Sequence, residues 1–124
     1  MDSQDKPVRL WNSFSYAIAG IKTALQSERN MRIHFIVSLL VIGCGLFFSI
    51  SKMEWLLVML AIGGIFSLEL INTAIERVVD LVTEEYHPLA KQAKDLAAGA
   101  VFIYAITAVL IGMIIFLPYV LRWF

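Results

Sequence analysis

Three stretches of the chain are apolar for long enough to cross a lipid bilayer. Ile33 to Ile50 carries no charged residue, and Leu96 to Leu121 is likewise uncharged, with Pro118 near its end. Trp55 to Val82 is apolar apart from Arg77 and a few polar positions on one side. A helix that spans the hydrocarbon core needs about 20 residues, so the pattern predicts spans at 33–50, 55–82 and 96–121. Ser49-Ile50-Ser51-Lys52 supplies a short connection between the first two, and Thr83 to His87 supplies the second. Pro88 suits the first position of a helix, where its missing N–H has no partner to lose. That helix is expected to open with a wet turn carrying Lys91, Lys94 and Asp95, and to enter the bilayer at Leu96.

The segment before the first span has a different rhythm. Between Leu10 and Leu25 the apolar residues Leu10, Phe14, Ala17, Ile18, Ile21 and Leu25 recur at steps of three and four, with Asn12, Ser13, Lys22 and Gln26 on the remaining face. This predicts an amphipathic helix, about residues 9–27, lying on the membrane surface with Trp11 and Tyr16 at headgroup level. Packing against a soluble partner is the alternative for the same pattern. The expected architecture is an all-α membrane protein: three transmembrane helices preceded by an amphipathic surface helix, in one domain spanning residues 1–124.

The polar positions of the second span are ordered. At about 100° per residue, Glu69, Asn72, Glu76 and Asp80 fall at roughly 0°, 300°, 340° and 20°, one stripe about 80° wide. An acid at the centre of a spanning helix costs about 2.5–3.5 kcal/mol on insertion scales. A stripe of three acids and an amide therefore points to an active or transport site that faces protein rather than lipid.

Composition narrows the function classes. The chain has 124 residues, 60% of them hydrophobic and 16% charged, with a mean hydropathy of +0.78. That leaves too few polar residues to cover a soluble domain of this size. Ten basic and ten acidic residues cancel, so bulk charge gives no footprint for nucleic acid. The one cysteine, Cys44, cannot pair within the chain and reads as apolar filler. Met1 to Gln26 carries Asp2, Asp5, Lys6, Arg9 and Lys22 without a compact apolar core or a small-residue cleavage site, so no cleavable leader is expected. Eight of the ten basic residues (Lys6, Arg9, Lys22, Arg29, Arg32, Arg77, Lys91 and Lys94) flank the N-terminal side and the second connection. The positive-inside rule then puts both in the cytoplasm and the C-terminus outside the cytoplasmic membrane. The stripe leads from the cytosol at Asp80 to Glu69, about 16 Å deeper.

Phosphoryl transfer needs carboxylates for Mg²⁺, a cation for the phosphates and a base for the attacking hydroxyl. Glu76 on the stripe and Glu28 at the end of the surface helix lie at one depth and can share a metal; Mg²⁺ commonly takes one or two carboxylates plus phosphate oxygens. Glu69 is the deepest acid, a desolvated carboxylate suited to general base catalysis. Asn72, one turn along, can orient the hydroxyl or Glu69. Lys94 and Asp95 open the third span, where a nucleotide would be met. Plainer readings stand beside these. Asp80 can satisfy Arg77 or a helix end, Lys94 and Asp95 can form a solvated turn, and Glu28 with Arg29 can be a surface pair of little energetic value. His34 reads first as a polar residue at the membrane interface. No phosphate-binding loop of the GxxxxGK[ST] type and no kinase-type glycine loop is present. Gly63-Gly64 and Ala97-Ala98-Gly99-Ala100 suit close helix packing instead.

The string Glu69-Leu-Ile-Asn72-Thr-Ala-Ile-Glu76-Arg-Val-Val-Asp80 resembles the signature of the prokaryotic diacylglycerol kinase family. The similarity continues through Glu85-Tyr86-His87 and Ala93-Lys94-Asp95, and back to Glu28, Tyr16 and Arg9. The resemblance implies a homotrimer that phosphorylates a membrane lipid alcohol from ATP, with sites shared between subunits. It implies Glu69 as the base on the lipid hydroxyl and Glu28 and Glu76 as Mg²⁺ ligands. It implies nucleotide contacts from Arg9, Tyr16, Glu28, Glu76, Glu85, Tyr86, His87, Lys94 and Asp95, with Asp80 in support. Glu28-Arg-Asn-Met-Arg-Ile-His34 looks like the Gram-positive branch, which acts on undecaprenol; the enterobacterial branch carries an acid in place of His34. A diacylglycerol kinase making phosphatidic acid is the alternative within the family. Outside it stand a small ion-coupled transporter, which lacks a polar path outward from Ile65 to Trp55, and an assembly protein, which has no use for so costly a stripe.

Overall fold

The computed structural model describes residues 6–124, all of them helical apart from short connections: α1 (Lys6–Ser27), α2 (Arg29–Phe48), α3 (Lys52–Val82) and α4 (Pro88–Trp123). The reading of the N-terminus as lacking a cleavable leader rests partly on residues 1–5, outside the described residues. At 1.5 Å per residue α2, α3 and α4 are about 30, 46 and 54 Å long, and all three are long and apolar enough to cross a membrane. α3 is the central element; α4 packs along it, α2 leans on it more lightly, and α1 meets α2 and α3.

The first span starts earlier than the apolar run from Ile33, and almost no linker separates it from the first helix. A single extended residue, Glu28 (φ −109°, ψ 118°), separates the two helices, and α2 begins at Arg29. No glycine or proline marks the bend; Arg32 makes it. Its Nη1 donates to the carbonyls of Leu25 and Gln26 at 3.1 and 2.9 Å, two of the acceptors that a helix C-terminus leaves unpaired. Ala24 and Met31 are buried at the corner.

The next connection is three residues, because Lys52 already belongs to α3. Ser49 adopts a left-handed conformation (φ 51°, ψ 55°), and Ile50 returns its N–H to Gly45 at 3.2 Å, closing α2 as helix C-termini commonly close. Ile50 then turns inward against Val58 and Ile115, the small core at this end of the molecule. α3 starts with a capping box: Ser51 Oγ accepts from the Glu54 N–H at 3.2 Å, and Glu54 Oε1 accepts from the Ser51 N–H at 2.9 Å. Tyr119 of α4 donates to the same Glu54 oxygen at 2.6 Å. At the other end Thr83 leaves the helix in an extended conformation, and His87 Nδ1 caps α4 by accepting from the Leu89 N–H at 3.1 Å, with Pro88 in the first turn.

Most large apolar side chains face outward. Phe102, Ile103 and Ile114 of α4 are exposed, as are Leu39, Leu40 and Phe47 of α2 and Leu10, Trp11, Phe14 and Ile18 of α1. Such a surface is stable only against lipid or further protein.

Candidate active site

The stripe on α3 is graded in burial. Glu69 is 3% exposed, Asn72 and Glu76 are half-buried, and Asp80 is exposed. Depth in the packed helices and distance from the polar end of α3 thus change together.

Glu69 does not stand alone. His34 Nε2 of α2 lies 3.1 Å from Glu69 Oε1, with side-chain exposures of 23% and 5%. Antiparallel packing brings them level, since they sit about 24 and 28 Å from Ile50 along their helices. No other hydrogen bond reaches the Glu69 carboxylate among the described residues. Its second oxygen thus has no hydrogen-bond partner among the described residues.

One helical turn on, Asn72 Nδ2 donates to Glu76 Oε1 over a long 3.4 Å. Asn72 Oδ1 is fully buried and has no partner among the described residues. A buried acceptor left empty costs about 1–3 kcal/mol, so the atom is set for a donor or a hard cation that the chain does not itself supply.

Two ion pairs flank the polar end of the stripe. On one side Arg77 Nη2 donates to Ser27 Oγ at 2.8 Å and lies 3.6 Å from Glu28 Oε1, tying α3 to the α1–α2 bend one residue from Glu76. On the other side Lys94 Nζ donates to Asp80 Oδ1 at 2.6 Å. The hydrogen bond it donates to Asp80 holds the Lys94 ammonium above its ordinary range; desolvation opposes this, and the charges of Asp80 and Glu76 add to it. Asp80 thus pairs with Lys94 and not with Arg77, correcting the plain reading of that acid. Lys94 is not a free solvated cation either. Asp95 accepts from Lys91 at 2.6 Å, an exposed pair one turn apart of the kind worth about 0.3–0.5 kcal/mol.

The oxygen donors fit a hard divalent cation. Glu28, Glu76 and the empty Asn72 Oδ1 are the ligand type that Mg²⁺ prefers. Among the described residues no three His, Cys, Asp or Glu side chains converge, so ligand phosphates would have to complete the coordination.

The remaining candidates lie apart. Glu85, Tyr86 and His87 are exposed in the α3–α4 connection. Arg9 and Tyr16 are exposed on α1, about 28 and 18 Å along the helix from Glu28.

From the Glu69 level an apolar groove of about 630 Å³ runs between α2 and α4 over α3. Its walls include Val37, Val41, Ile65, Val109, Met113 and Phe116, and its polar lining is His34 and Ser38. On α4 it extends from Ala105 to Val120, about 22 Å of helix.

His34 and Arg77 are the residues that sequence reasoning underrated. The available signal for His34 was register: counting back and forward from the Ser49–Ser51 turn sets it level with Glu69. Nothing in the sequence chose between Asp80 and Glu28 as the partner of Arg77.

Comparison with known proteins identifies the family. The family model described as prokaryotic diacylglycerol kinase matches residues 15–116. A Bacillus subtilis (strain 168) protein named undecaprenol kinase is 48% identical over 121 residues, 95% of this chain and 98% of its own. A Synechocystis protein named diacylglycerol kinase is 44% identical over 86% of this chain and 61% of its own. A Haemophilus influenzae protein of the same name is 33% identical over 86% and 92%. With its α3 stripe inside the matched region, the chain belongs to the prokaryotic diacylglycerol kinase family.

Proposed function

We propose that this lipid kinase transfers the γ-phosphate of ATP to the hydroxyl of a long polyprenol, undecaprenol, at sites shared between the subunits of a homotrimer. The observation that carries the reading is Glu69: a buried carboxylate on a membrane-length helix, hydrogen-bonded to a histidine that lines an apolar groove. The Bacillus subtilis relative, similar over nearly both full lengths, supports undecaprenol over diacylglycerol.

Glu69 takes the proton of the lipid hydroxyl. The alcohol oxygen forms its bond to the γ-phosphorus while the bond from that phosphorus to the β–γ bridging oxygen breaks and ADP departs; Glu69 afterwards returns the proton to water. Asn72 accepts the lipid hydroxyl with its empty amide oxygen, and its amide N–H groups face phosphate oxygens. Glu28 and Glu76 would hold Mg²⁺, which supplies charge neutralisation on the phosphates when bound. Lys94 exchanges Asp80 for phosphate oxygens, and Asp95, Glu85, Tyr86 and His87 complete the nucleotide site from the α3–α4 side.

Arg9 and Tyr16 are exposed on α1, which leaves them free to reach the nucleotide of a neighbouring subunit. The exposed apolar faces of α2 and α4 fit the same assembly, since three helices alone cannot wall a polar stripe from lipid. α1 lies in the plane of the cytoplasmic membrane with Trp11 and Tyr16 at the headgroups. The N-terminus and the α3–α4 connection face the cytoplasm and the C-terminus faces outward, as the basic residues direct. A transporter is disfavoured by the apolar lining of the groove beyond Ser38. Purified protein with labelled ATP, Mg²⁺ and undecaprenol tests the proposal: label should move to the lipid and stop with EDTA. ATP hydrolysis without lipid labelling, for undecaprenol and diacylglycerol alike, would reject it.

A further inference from the structure

The Glu69–His34 contact assigns a role to a residue outside the phosphoryl-transfer machinery described above. A carboxylate has two equivalent oxygens and rotates about its terminal bond, so a base on a flexible side chain spends much of its time misaligned. Here Oε1 is bound to the imidazole at 3.1 Å, and the ring is itself held on α2, half-buried, as part of the groove wall. The opposite oxygen has no hydrogen-bond partner among the described residues. One nitrogen therefore fixes the rotation of the carboxylate, and the same ring borders the space from which a lipid hydroxyl would approach.

We infer that His34 is the positioning residue of Glu69: its imidazole anchors Oε1 and so turns Oε2 toward the lipid hydroxyl. The inference rests on the lipid kinase reading with Glu69 as base. Its consequences fall on the chemical step. A base displaced by about 1 Å can lose about 100-fold in rate, while the nucleotide, bound near Glu76 and the Asp80–Lys94 pair, about 10–16 Å along α3 from Glu69, is untouched.

The test is a set of full-length variants at position 34, assayed at saturating undecaprenol and MgATP. His34→Ala should lower kcat about 10- to 100-fold with KM for MgATP unchanged. His34→Gln, whose amide nitrogen reaches about as far as imidazole Nε2, should recover most of that loss. His34→Asn, polar but too short, should not; it also replaces the Ala variant if that fails to accumulate. Wild-type kcat in the Ala and Asn variants would overturn the inference. So would equal loss in Gln and Asn, which would mean that ring bulk and not the hydrogen bond matters, or a loss confined to KM for MgATP. Failure of the wild type to phosphorylate any lipid alcohol, or normal turnover by Glu69→Gln, would instead strike the underlying reading of function.

Discussion

At the scale of single residues, the account turns on Glu69 as a base and not as a binding group. Glu69→Gln keeps the size of the side chain and a possible partner for His34, and removes only the ability to take a proton. Loss of general base catalysis costs about 10²–10⁴-fold. The variant should lose that much turnover while binding MgATP normally by equilibrium titration; near-normal turnover would remove Glu69 from the mechanism. The acid itself was legible in the sequence, since a carboxylate among so many apolar residues is costly wherever it points. Its partner was not. Periodicity reports the faces of one helix at a time, whereas the His34 contact depends on how two helices align. The same limit hid the partners of Arg77 and Asp80, because several opposite charges stand at similar depth and only packing chooses among them.

At the scale of elements, local chemistry set the boundaries. Pro88 announced the start of α4 because a proline without an N–H fits the first turn. Ser51 and Glu54 carry a capping box that was present as a Ser-x-x-Glu spacing, and it puts Lys52 inside α3 and not in the connection. The Glu28 bend had no such marker: it depends on Arg32 reaching back to two carbonyls. Packing between α3 and α4 depends on Gly64, where an added Cβ would collide with the Tyr104 ring. That ring is pinned by its hydroxyl, which donates to the Leu60 carbonyl at 2.5 Å. Gly64→Ala should therefore destabilise the α3–α4 pair by about 1–3 kcal/mol, the usual cost of overpacking, read as a lower Tm in detergent. An unchanged Tm would show that Tyr104 swings aside freely.

At the scale of the whole molecule, the chain leaves its work unfinished. Its large apolar side chains face outward, and Arg9 and Tyr16 are exposed on α1. Both observations fit a site completed by a neighbour. If one subunit supplies Glu69 and another the groups that hold the nucleotide, mixing Glu69→Gln chains with Glu28→Ala chains should restore part of the activity that each lacks alone. Glu28→Ala and Glu76→Ala should each weaken Mg²⁺-dependent nucleotide binding on their own. No recovery in well-mixed assemblies would place each site within one chain.

The substrate is decided away from the reacting atoms. Of the lipid, the reacting groups meet only a hydroxyl, which a polyprenol and a diacylglycerol both present, so discrimination falls to the apolar surface that holds the chain. Apolar pockets discriminate weakly, by about 1–3 kcal/mol for a methylene, which implies preference and some turnover of the poorer lipid. The decisive measurement is kcat/KM for undecaprenol and for diacylglycerol with the same preparation in the same bilayer. The account predicts a higher value for undecaprenol with measurable diacylglycerol turnover; a preference for diacylglycerol of about tenfold or more, some 1.4 kcal/mol in transition-state binding, would contradict it.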